Sequence, residues 1–362
     1  MVEPLFFFGA GASRPFDIPT MKEMVSEFQK ELTNSSGKGI HDEVQLYSRV
    51  AASLRQTFGR VDLESVFTVV DAIAQGKTLK DLGYFATFLA KNRRFATLLR
   101  PPLREDRETA QRLRARFEGY VKRVCWVRPD KFSSILSTYL AFFHEVSRVF
   151  GSNSSFNHEG TVYNYNQSWD FFTTNYDNVL EVLWRSGIRQ NALNTGFQYD
   201  PTSKSEIWSP TILSQQGQPR LVKLHGSVTW WREEGTGRIV EKDQPPDAAY
   251  VPRKFGEQII LYPIQQKDAF VPPYFDMFYV LRQMLAGTRK WIVVGYSFGD
   301  EIIRSMFAKA SISSTTLVLV HPDSQASKPL ESEPGWSGKI RRIRTKFGEP
   351  ATNKSVAEAL AT

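Results

Sequence analysis

Short apolar runs that each end in small or polar residues set the strongest constraint on how this chain can fold. The first run, residues 5–8, is wholly apolar and passes at once into a Gly-Ala-Gly-Ala-Ser turn. An apolar run without alternation is typical of a strand that is buried on both faces of a parallel sheet. Thr20 and Glu23 then form a capping box, which predicts the start of a helix. The chain is therefore predicted to open as the first half of a βαβ unit.

Further apolar runs of the same kind alternate with helical patterns in the second half of the chain. This alternation predicts a Rossmann-like α/β fold with a doubly wound, mostly parallel sheet. In such a sheet the ligand crevice lies outside the carboxyl ends of the strands. We therefore expect the polar clusters that follow the runs to meet at one place. The predicted strands are residues 169–173, 221–224, 259–262, 291–294 and 317–320.

A long stretch with helical periodicity interrupts this pattern. From about residue 41 to residue 150, apolar residues recur at helical spacing, and no run is typical of a strand. Residues 151–167 are rich in Gly, Ser and Asn, which predicts a loop or a domain boundary, and the polar residues 232–249 predict an exposed loop. We predict an α/β core of residues 1–32 and 160–362, with residues 33–159 as a large helical insertion.

The excess of positive charge is concentrated in this helical stretch. Residues 91–128 contain twelve Lys or Arg and four Asp or Glu, a balance equal to the net charge of +8 of the whole chain. Such a stretch is either a solvated helix face or a surface for nucleic acid or an acidic partner. We expect a homo-oligomer or a partner surface here, with nucleic acid as the other candidate. Neutralising Arg112, Arg114 and Arg116 should then disturb assembly.

The single cysteine, Cys125, restricts the chemistry of the chain. One cysteine cannot form an intrachain disulfide, a Cys₄ zinc site or a Cys₂His₂ zinc site, and its apolar neighbours predict a buried structural thiol. No run approaches the about 18 apolar residues needed to cross a bilayer, and residues 1–4 lack the basic region of a signal peptide. We therefore expect no zinc, no membrane contact and a cytoplasmic location.

Polar residues after the predicted strands are the candidates for binding and catalysis. The bare backbone of Gly9 and Gly11 would let N–H groups approach a diphosphate. Asn175 and Asp177 have the groups to bind sugar hydroxyls, although Asp177 is also well placed to cap a helix. His225 carries the side chain most readily poised for proton transfer near neutral pH.

Two further clusters follow later strands. Residues 295–300 (Gly-Tyr-Ser-Phe-Gly-Asp) predict a second phosphate or ribose loop that leads into a helix. Residues 321–323 (His-Pro-Asp) follow the last predicted strand, where an adenosine would rest. Arg14 stands where the dinucleotide fingerprint has its third glycine, so the first glycine turn alone is a weak signal.

Taken together, these motifs resemble those of the sirtuins. Residues 9–13 with Ile18 and Pro19 resemble the opening sirtuin motif, and residues 173–177 resemble the Thr-Gln-Asn-x-Asp motif. Residues 224–226 resemble the segment with the catalytic His-Gly, and residues 295–297 resemble Gly-Thr-Ser. The four motifs occur in the order of the family and cover residues 1–32 and about 168–322.

The departures from the family pattern are informative as well. Thr174 replaces the Gln of the family, and Thr20 and Lys22 stand where protein-deacylating sirtuins carry Asp and Arg. The four zinc cysteines of those sirtuins are absent from the chain. In these respects, and in its helical insertion, the sequence is similar to the zinc-less bacterial antiviral-defence branch of the family.

The resemblance implies an NAD+ hydrolase (NADase) that cleaves the nicotinamide–ribose bond and releases nicotinamide and ADP-ribose. It implies depletion of NAD+ in an infected cell, and a partner protein such as a translocase ATPase. It also implies catalytic roles for Asn175, Asp177 and His225. The residues it implies for NAD+ binding are Gly9, Ala10, Gly11, Ser13, Thr173, Gly295, Tyr296, Ser297 and His321.

Two alternatives to hydrolysis stay open at the level of sequence. A sirtuin-type protein deacylase or ADP-ribosyl transferase would share the core but would need a groove for a peptide. A non-catalytic module that senses NAD or ADP-ribose would need the binding residues alone. The reaction products distinguish these alternatives.

Overall fold

A computed structural model gives the fold of the chain in two compact units. The α/β unit comprises Met1–Ile18, Cys125–Ile260 and Ala269–Thr362, and the helical unit comprises Pro19–Val124 with Leu261–Asp268. This division falls at other residues than 32 and 160. The helix of residues 21–34, predicted in the core, packs with helices of the helical unit, and the helix of residues 132–150 packs within the α/β unit. The structure describes residues 3–37, 39–58, 61, 63–76, 104–188, 193–215, 218–243, 255–260 and 272–361.

Six parallel strands form the central sheet of the α/β unit, which confirms the predicted Rossmann-like fold. Since all six run in the same direction, their carboxyl ends lie at one edge. From the strand Leu5–Phe8 the chain passes outward on one side, and from the adjacent strand Lys290–Val294 it passes outward on the other. The topological switch point therefore lies between these two strands. In spatial order the strands are β13 (Lys339–Ile343), β12 (Thr316–Val320), β11 (Lys290–Val294), β1 (Leu5–Phe8), β4 (Phe171–Thr173) and β7 (Leu221–Lys223).

The phenylalanines of β1 alternate between the two faces of this sheet. Phe6 packs against Phe143 of helix α5 (Phe132–Phe150), with ring centroids 5.7 Å apart. Phe7 points to the opposite face and packs against Phe307 of helix α9 (Glu301–Ala310), at 5.3 Å. Both faces are therefore covered by helices, which explains why this strand is apolar at every position.

The remaining helices of the α/β unit lie on these two faces. Helices α6 (Val179–Leu183) and α11 (Pro350–Ala361) pack with α5. Helices α8 (Tyr274–Gly287) and α10 (Lys328–Glu331) pack with α9, and the short helix α7 (Pro210–Leu213) packs against the second sheet described below.

An antiparallel sheet forms the second layer of strands in the α/β unit and was missed at the level of sequence. The prediction of an exposed loop over 232–249 was wrong for residues 232, 233 and 239–241, which lie in strands. The run at 259–262 does not join the parallel sheet: its strand ends at Ile260 and pairs antiparallel with the strand Gly226–Glu233, while residues 261 and 262 lie outside the described residues. In spatial order the strands are β10 (Phe255–Ile260), β8 (Gly226–Glu233), β9 (Ile239–Glu241), β6 (Ser205–Trp208) and β5 (Phe197–Asp200).

Residues 151–167, predicted as a loop, contain a β-hairpin of β2 (Ser154–His158) and β3 (Thr161–Tyr165). The hairpin packs on α5, where Asn164 N donates to His144 Nδ1 at 2.9 Å. Cys125 is buried as predicted, and burial raises the pKa of its thiol.

The helical unit consists of α1 (Met21–Asn34), α2 (Ile40–Phe58), α3 (Leu63–Ala74) and α4 (Arg104–Val124) within its described part. The predicted capping box begins α1, with Thr20 N donating to Glu23 Oε2 at 2.8 Å. Within the described residues, no helix of the chain is long and apolar enough to cross a bilayer.

The arginines of α4 that were expected to form a partner surface contact acidic residues of their own unit. Arg112 and Arg116 both bind Glu43, whose side chain is fully buried, and Arg114 binds Asp71 at 2.7 Å. Neutralising these arginines would therefore also remove ion pairs inside the unit. Residues 91–103 of the basic stretch lie outside the described residues, and its role in assembly stays a prediction.

Candidate functional site

The two glycine loops touch each other at the switch point. Gly9 N donates to Val294 O at 2.8 Å, and Gly11 N donates to Gly295 O at 3.0 Å. Gly295 has a φ of +65°, and a Cβ added to it would lie 2.4 Å from Ala12 N. The glycines therefore provide the space for this contact. The N–H groups of Gly9 and Gly11, expected to approach a diphosphate, have backbone acceptors in this structure.

Asn175 links the ends of β1 and β4. Its Nδ2 donates to Gly9 O and to Ser13 Oγ, both at 3.0 Å. Its backbone N donates to Thr173 Oγ1, which in turn donates to Phe8 O. Because both amide protons have acceptors, the carboxamide is fixed in orientation. Among the described residues nothing donates to Asn175 Oδ1, so this oxygen can accept from water or a ligand.

Asp177 continues this network into the interior. Its carboxylate accepts from Ser13, and its Oδ1 accepts from Val179 N at 3.1 Å. The second bond satisfies a backbone donor at the start of α6, which is the capping role considered above. Burial raises the pKa of Asp177, while the charge of Lys223 and the bond from Ser13 oppose this increase.

A small cavity lies at this network. Its volume is about 10 Å³, and Ser13, Thr173, Asn175, Asp177 and Tyr139 are among its lining residues. A space of this size is enough for about one water molecule. The polar lining offers such a water several hydrogen-bond partners.

A buried ion pair contacts the segment that carries Asp177. Lys223, the last residue of β7, is 1% exposed, and its Nζ lies 2.7 Å from Glu181 Oε1 on α6. The Lys223 ammonium also donates to the backbone carbonyl of Asp177. This pair was missed at the level of sequence, although a lysine inside the apolar run 221–224 was the signal available.

His225 lies between the last residue of β7 and the first residue of β8. Its imidazole is buried, and Nε2 lies 3.1 Å from Asp300 Oδ2. Asp300 Oδ1 accepts from Ile303 N at 3.1 Å and so begins α9. Burial alone would raise the pKa of Asp300, but the hydrogen bond and charge of His225, with the N–H groups of α9, lower it.

Asp300 belongs to the predicted phosphate or ribose loop of residues 295–300, but the sequence alone did not indicate a role for it. With its lowered pKa, the carboxylate is ionised at neutral pH and acts only as an acceptor. Nε2 of His225 is therefore the donor in this pair. The position of Asp300 directly before a helix was a signal for its capping role, whereas its contact with a residue 75 positions earlier required the fold.

The other predicted binding residues lie at the same edge in different surroundings. Tyr296 is buried and packs against Phe7 at 4.8 Å, whereas Ser297 is exposed. His321 follows β12, and its Nδ1 accepts from Asp323 N at 3.0 Å. Burial lowers the pKa of this imidazole. Ala10 begins the short turn Ala10–Ala12 after β1.

Comparison with known proteins matches part of this architecture to one family. The segment of residues 170–335, which contains β4, β7, β11 and β12, fits the family model of the SIR2-like domain. Residues 170–335 are thus similar to SIR2-like domains. This domain contains Asn175, Asp177, His225, Gly295 and Asp300, and the match confirms the predicted resemblance to sirtuins for this segment.

The SIR2-like domain is completed by residues that precede it. Gly9 and Ser13, which accept the two bonds from Asn175, belong to the segment after β1. The site therefore requires the first strand as well as the matched segment. Among the described residues, no group of three or more His, Cys, Asp or Glu side chains is arranged to hold a metal ion.

Solved structures give more distant likenesses to the SIR2-like domain and its surroundings. One is a complex of a Sir2 homologue with NAD, 14% identical, covering 98% of this chain and 88% of that chain, with a TM-score of 0.44. Another is Sir2Tm bound to a propionylated peptide, 9% identical, covering 99% of this chain and 94% of that chain, with a TM-score of 0.37. No curated protein matches the chain in sequence.

Proposed function

We propose that this chain is an NAD+ hydrolase that cleaves the nicotinamide–ribose bond and releases nicotinamide and ADP-ribose. The observation that carries the proposal is the carboxamide of Asn175, held by Gly9 O and Ser13 Oγ within a SIR2-like domain. These two bonds use the amide protons and leave Asn175 Oδ1 as an oriented acceptor at the switch point, where open α/β sheets bind their ligands.

The reaction needs little acid catalysis at the leaving group. The ring nitrogen of NAD+ is cationic, so the C1′–N bond breaks with its electron pair moving to the ring, and neutral nicotinamide leaves. The ribose passes through an oxocarbenium-like state, as in other glycosyl cleavages. Water then adds to C1′ and loses one proton. Asn175 Oδ1 would orient this water, or a ribose hydroxyl, by accepting its hydrogen bond.

His225 is the proposed acceptor of that proton. Imidazole is the common general base of enzymes near neutral pH. Because Nε2 donates to Asp300, the lone pair of the neutral ring lies on Nδ1. Nδ1 is therefore the atom to which we assign the base function.

The cysteine count favours hydrolysis over deacylation. The chain contains one cysteine, so it cannot build the four-cysteine zinc module of the protein-deacylating sirtuins that it resembles. A protein deacylase or ADP-ribosyl transferase is the second candidate, and it shares the same residues at the strand ends. A non-catalytic sensor of NAD or ADP-ribose is the third.

The test is turnover of NAD+ by the purified chain, followed by mass spectrometry of the products. We expect free nicotinamide and ADP-ribose, and a fall of about 10²–10⁴-fold in rate for His225→Ala and for Asn175→Ala. Matched controls are His41→Ala and Asn34→Ala, which lie on helices of the helical unit. Melting curves exclude unfolding as the cause.

Each other outcome points to a different function. Transfer of an acyl group from an acylated peptide to ADP-ribose would replace hydrolysis by deacylation. Binding of NAD+ or ADP-ribose without any turnover would favour the sensor. Wild-type rates in both His225→Ala and Asn175→Ala would refute the site assignment itself.

We further propose that this activity serves defence against phage by depleting NAD+ in infected cells. The support is the similarity of the motifs to the antiviral branch, and the partner, the oligomer and any nucleic-acid trigger remain predictions. Cells with the wild-type chain should lose NAD+ during infection and form fewer plaques than cells with His225→Ala. Equal plaque numbers and NAD+ levels for the two chains would argue against this role.

A further inference from the structure

We propose that Asp300 is the positioning residue of His225, and that it holds the imidazole as the tautomer with the proton on Nε2. This inference rests on the proposed hydrolase function. It assigns to Asp300 no contact with NAD+. Its role is to keep the base atom Nδ1 unprotonated and the ring in one orientation.

The geometry divides the two oxygens of Asp300 between two tasks. Oδ1 accepts from Ile303 N at 3.1 Å and fixes the carboxylate to the first turn of α9. Oδ2 lies 3.1 Å from His225 Nε2. The carboxylate therefore cannot rotate away from the imidazole without giving up the cap of the helix.

Both partners of this pair are removed from solvent. The side chain of His225 is 5% exposed and that of Asp300 is 9% exposed. A charged hydrogen bond in such surroundings is stronger than one at the surface, because water does not compete for it. The contact joins the end of β7 to the start of α9, two elements that are separated by 75 residues in sequence.

The alternative is that Asp300 serves only as the N-cap of α9. The substitution Asp300→Asn separates the two roles, since Asn is as good an N-cap as Asp. With Oδ1 retained as the acceptor for Ile303 N, the Asn amide group replaces Oδ2 and becomes a donor towards His225 Nε2. We expect the opposite tautomer, with the lone pair on Nε2 and the proton on the base atom Nδ1.

The experiment measures both the rate and the tautomer in the full chain. We expect kcat for NAD+ hydrolysis to fall by about 10²–10⁴-fold in Asp300→Asn, with KM and melting temperature close to wild type. Two-bond ¹H–¹⁵N correlation spectra of protein with ¹⁵N-labelled histidine should show the proton on Nε2 of His225 in the wild type and on Nδ1 in the variant. The signals are assigned by their loss in His225→Ala.

Two further variants keep the test decisive. Asp300→Ser retains a capping group, but its hydroxyl is too short to serve both Ile303 and His225, so kcat should again fall while α9 stays capped. Asp200→Asn makes the same chemical change at a residue of the antiparallel sheet that binds Ser203, and it should leave both rate and tautomer unchanged.

The possible outcomes separate this inference from the proposed function. Wild-type kcat in Asp300→Asn, or an unchanged tautomer of His225, would overturn the role of Asp300. An inactive wild-type chain would refute the hydrolase, and the spectra would then still decide whether Asp300 sets the tautomer. A lower kcat together with the inverted tautomer supports both.

Discussion

At the scale of single residues, the glycines of the site act by their size. Gly9, Gly11 and Gly295 form the contact between the loops after β1 and β11, and a Cβ on Gly295 would overlap the backbone of Ala12. Backbone atoms cannot move aside as the end of a flexible side chain can. The spacing of the glycines was visible in the sequence, whereas the partner of each glycine required the fold.

We expect Gly295→Ala to destabilise the chain by about 1–3 kcal/mol or more, because it combines strain at positive φ with a backbone overlap. The matched control is Gly237→Ala, which has a φ of +67° and open space around the added Cβ. It should cost only the strain, about 1 kcal/mol. Urea unfolding at equilibrium measures both. Equal losses in the two variants would mean that the loops do not touch.

At the scale of elements, the buried pair of Lys223 and Glu181 joins β7 to α6 beneath Asn175 and Asp177. Lys223→Met should cost about 3–5 kcal/mol, because it leaves the Glu181 carboxylate buried without its partner. The double variant Lys223→Met/Glu181→Leu should be more stable than Lys223→Met alone. Urea unfolding of the four species in this cycle gives the coupling energy.

The control for this cycle is an exposed pair on α11. Lys354→Met removes a contact of 3.9 Å with Glu358 at the surface, and it should cost at most about 1 kcal/mol. Additive losses for Lys223 and Glu181 would contradict the close coupling of β7 and α6.

The elements also show how far sequence reasoning extends. Five of the six strands of the parallel sheet were predicted, because they are apolar at nearly every position. The edge strand β13 was missed because its residues (Lys-Ile-Arg-Arg-Ile) are mostly polar and partly exposed. The antiparallel strands were missed for a similar reason, since polar residues such as Ser205 and Glu241 are buried among them and obscure the apolar pattern.

The candidate site was predictable in its parts. Asn175, Asp177 and His225 were selected because each follows a strand of a parallel sheet. The bond from Asn175 to Ser13 and the bond from His225 to Asp300 span 162 and 75 residues, and local sequence patterns carry no information on such distant pairs.

At the scale of the whole molecule, buried carboxylates make the stability depend on pH in two directions. Burial raises the pKa of Asp177 and of Glu241. The pKa of Asp300 is lowered despite its burial, because the hydrogen bond and charge of His225 and the N–H groups of α9 favour the ionised carboxylate. A carboxyl group whose pKa is raised on folding stabilises the folded state fully below its unfolded pKa of about 4. This stabilisation is lost as pH rises through the folded pKa. Asp300 contributes above that unfolded pKa and loses its contribution as pH falls through the lowered value.

We therefore expect Glu241→Gln to weaken the decline in unfolding free energy from pH 4 upward, because this position then no longer ionises. The measurement is urea unfolding of wild type and variant at several pH values between about 4 and 7. The matched control is Glu358→Gln, whose side chain is 65% exposed, and it should follow the wild-type slope. The same slope in wild type and Glu241→Gln would contradict the raised pKa.

His225 lies in one of the links between the parallel sheet and the antiparallel sheet. β7 ends at Lys223, β8 begins at Gly226, and the backbone of Gly226 turns at a φ of +84°. The proposed proton acceptor therefore lies in the backbone link that joins the two sheets. Substitutions that tilt the antiparallel sheet would move the imidazole, because only a short backbone link separates it from β8. Substitutions in the antiparallel sheet would therefore change the rate of the proposed hydrolysis without replacing any polar residue at the strand ends.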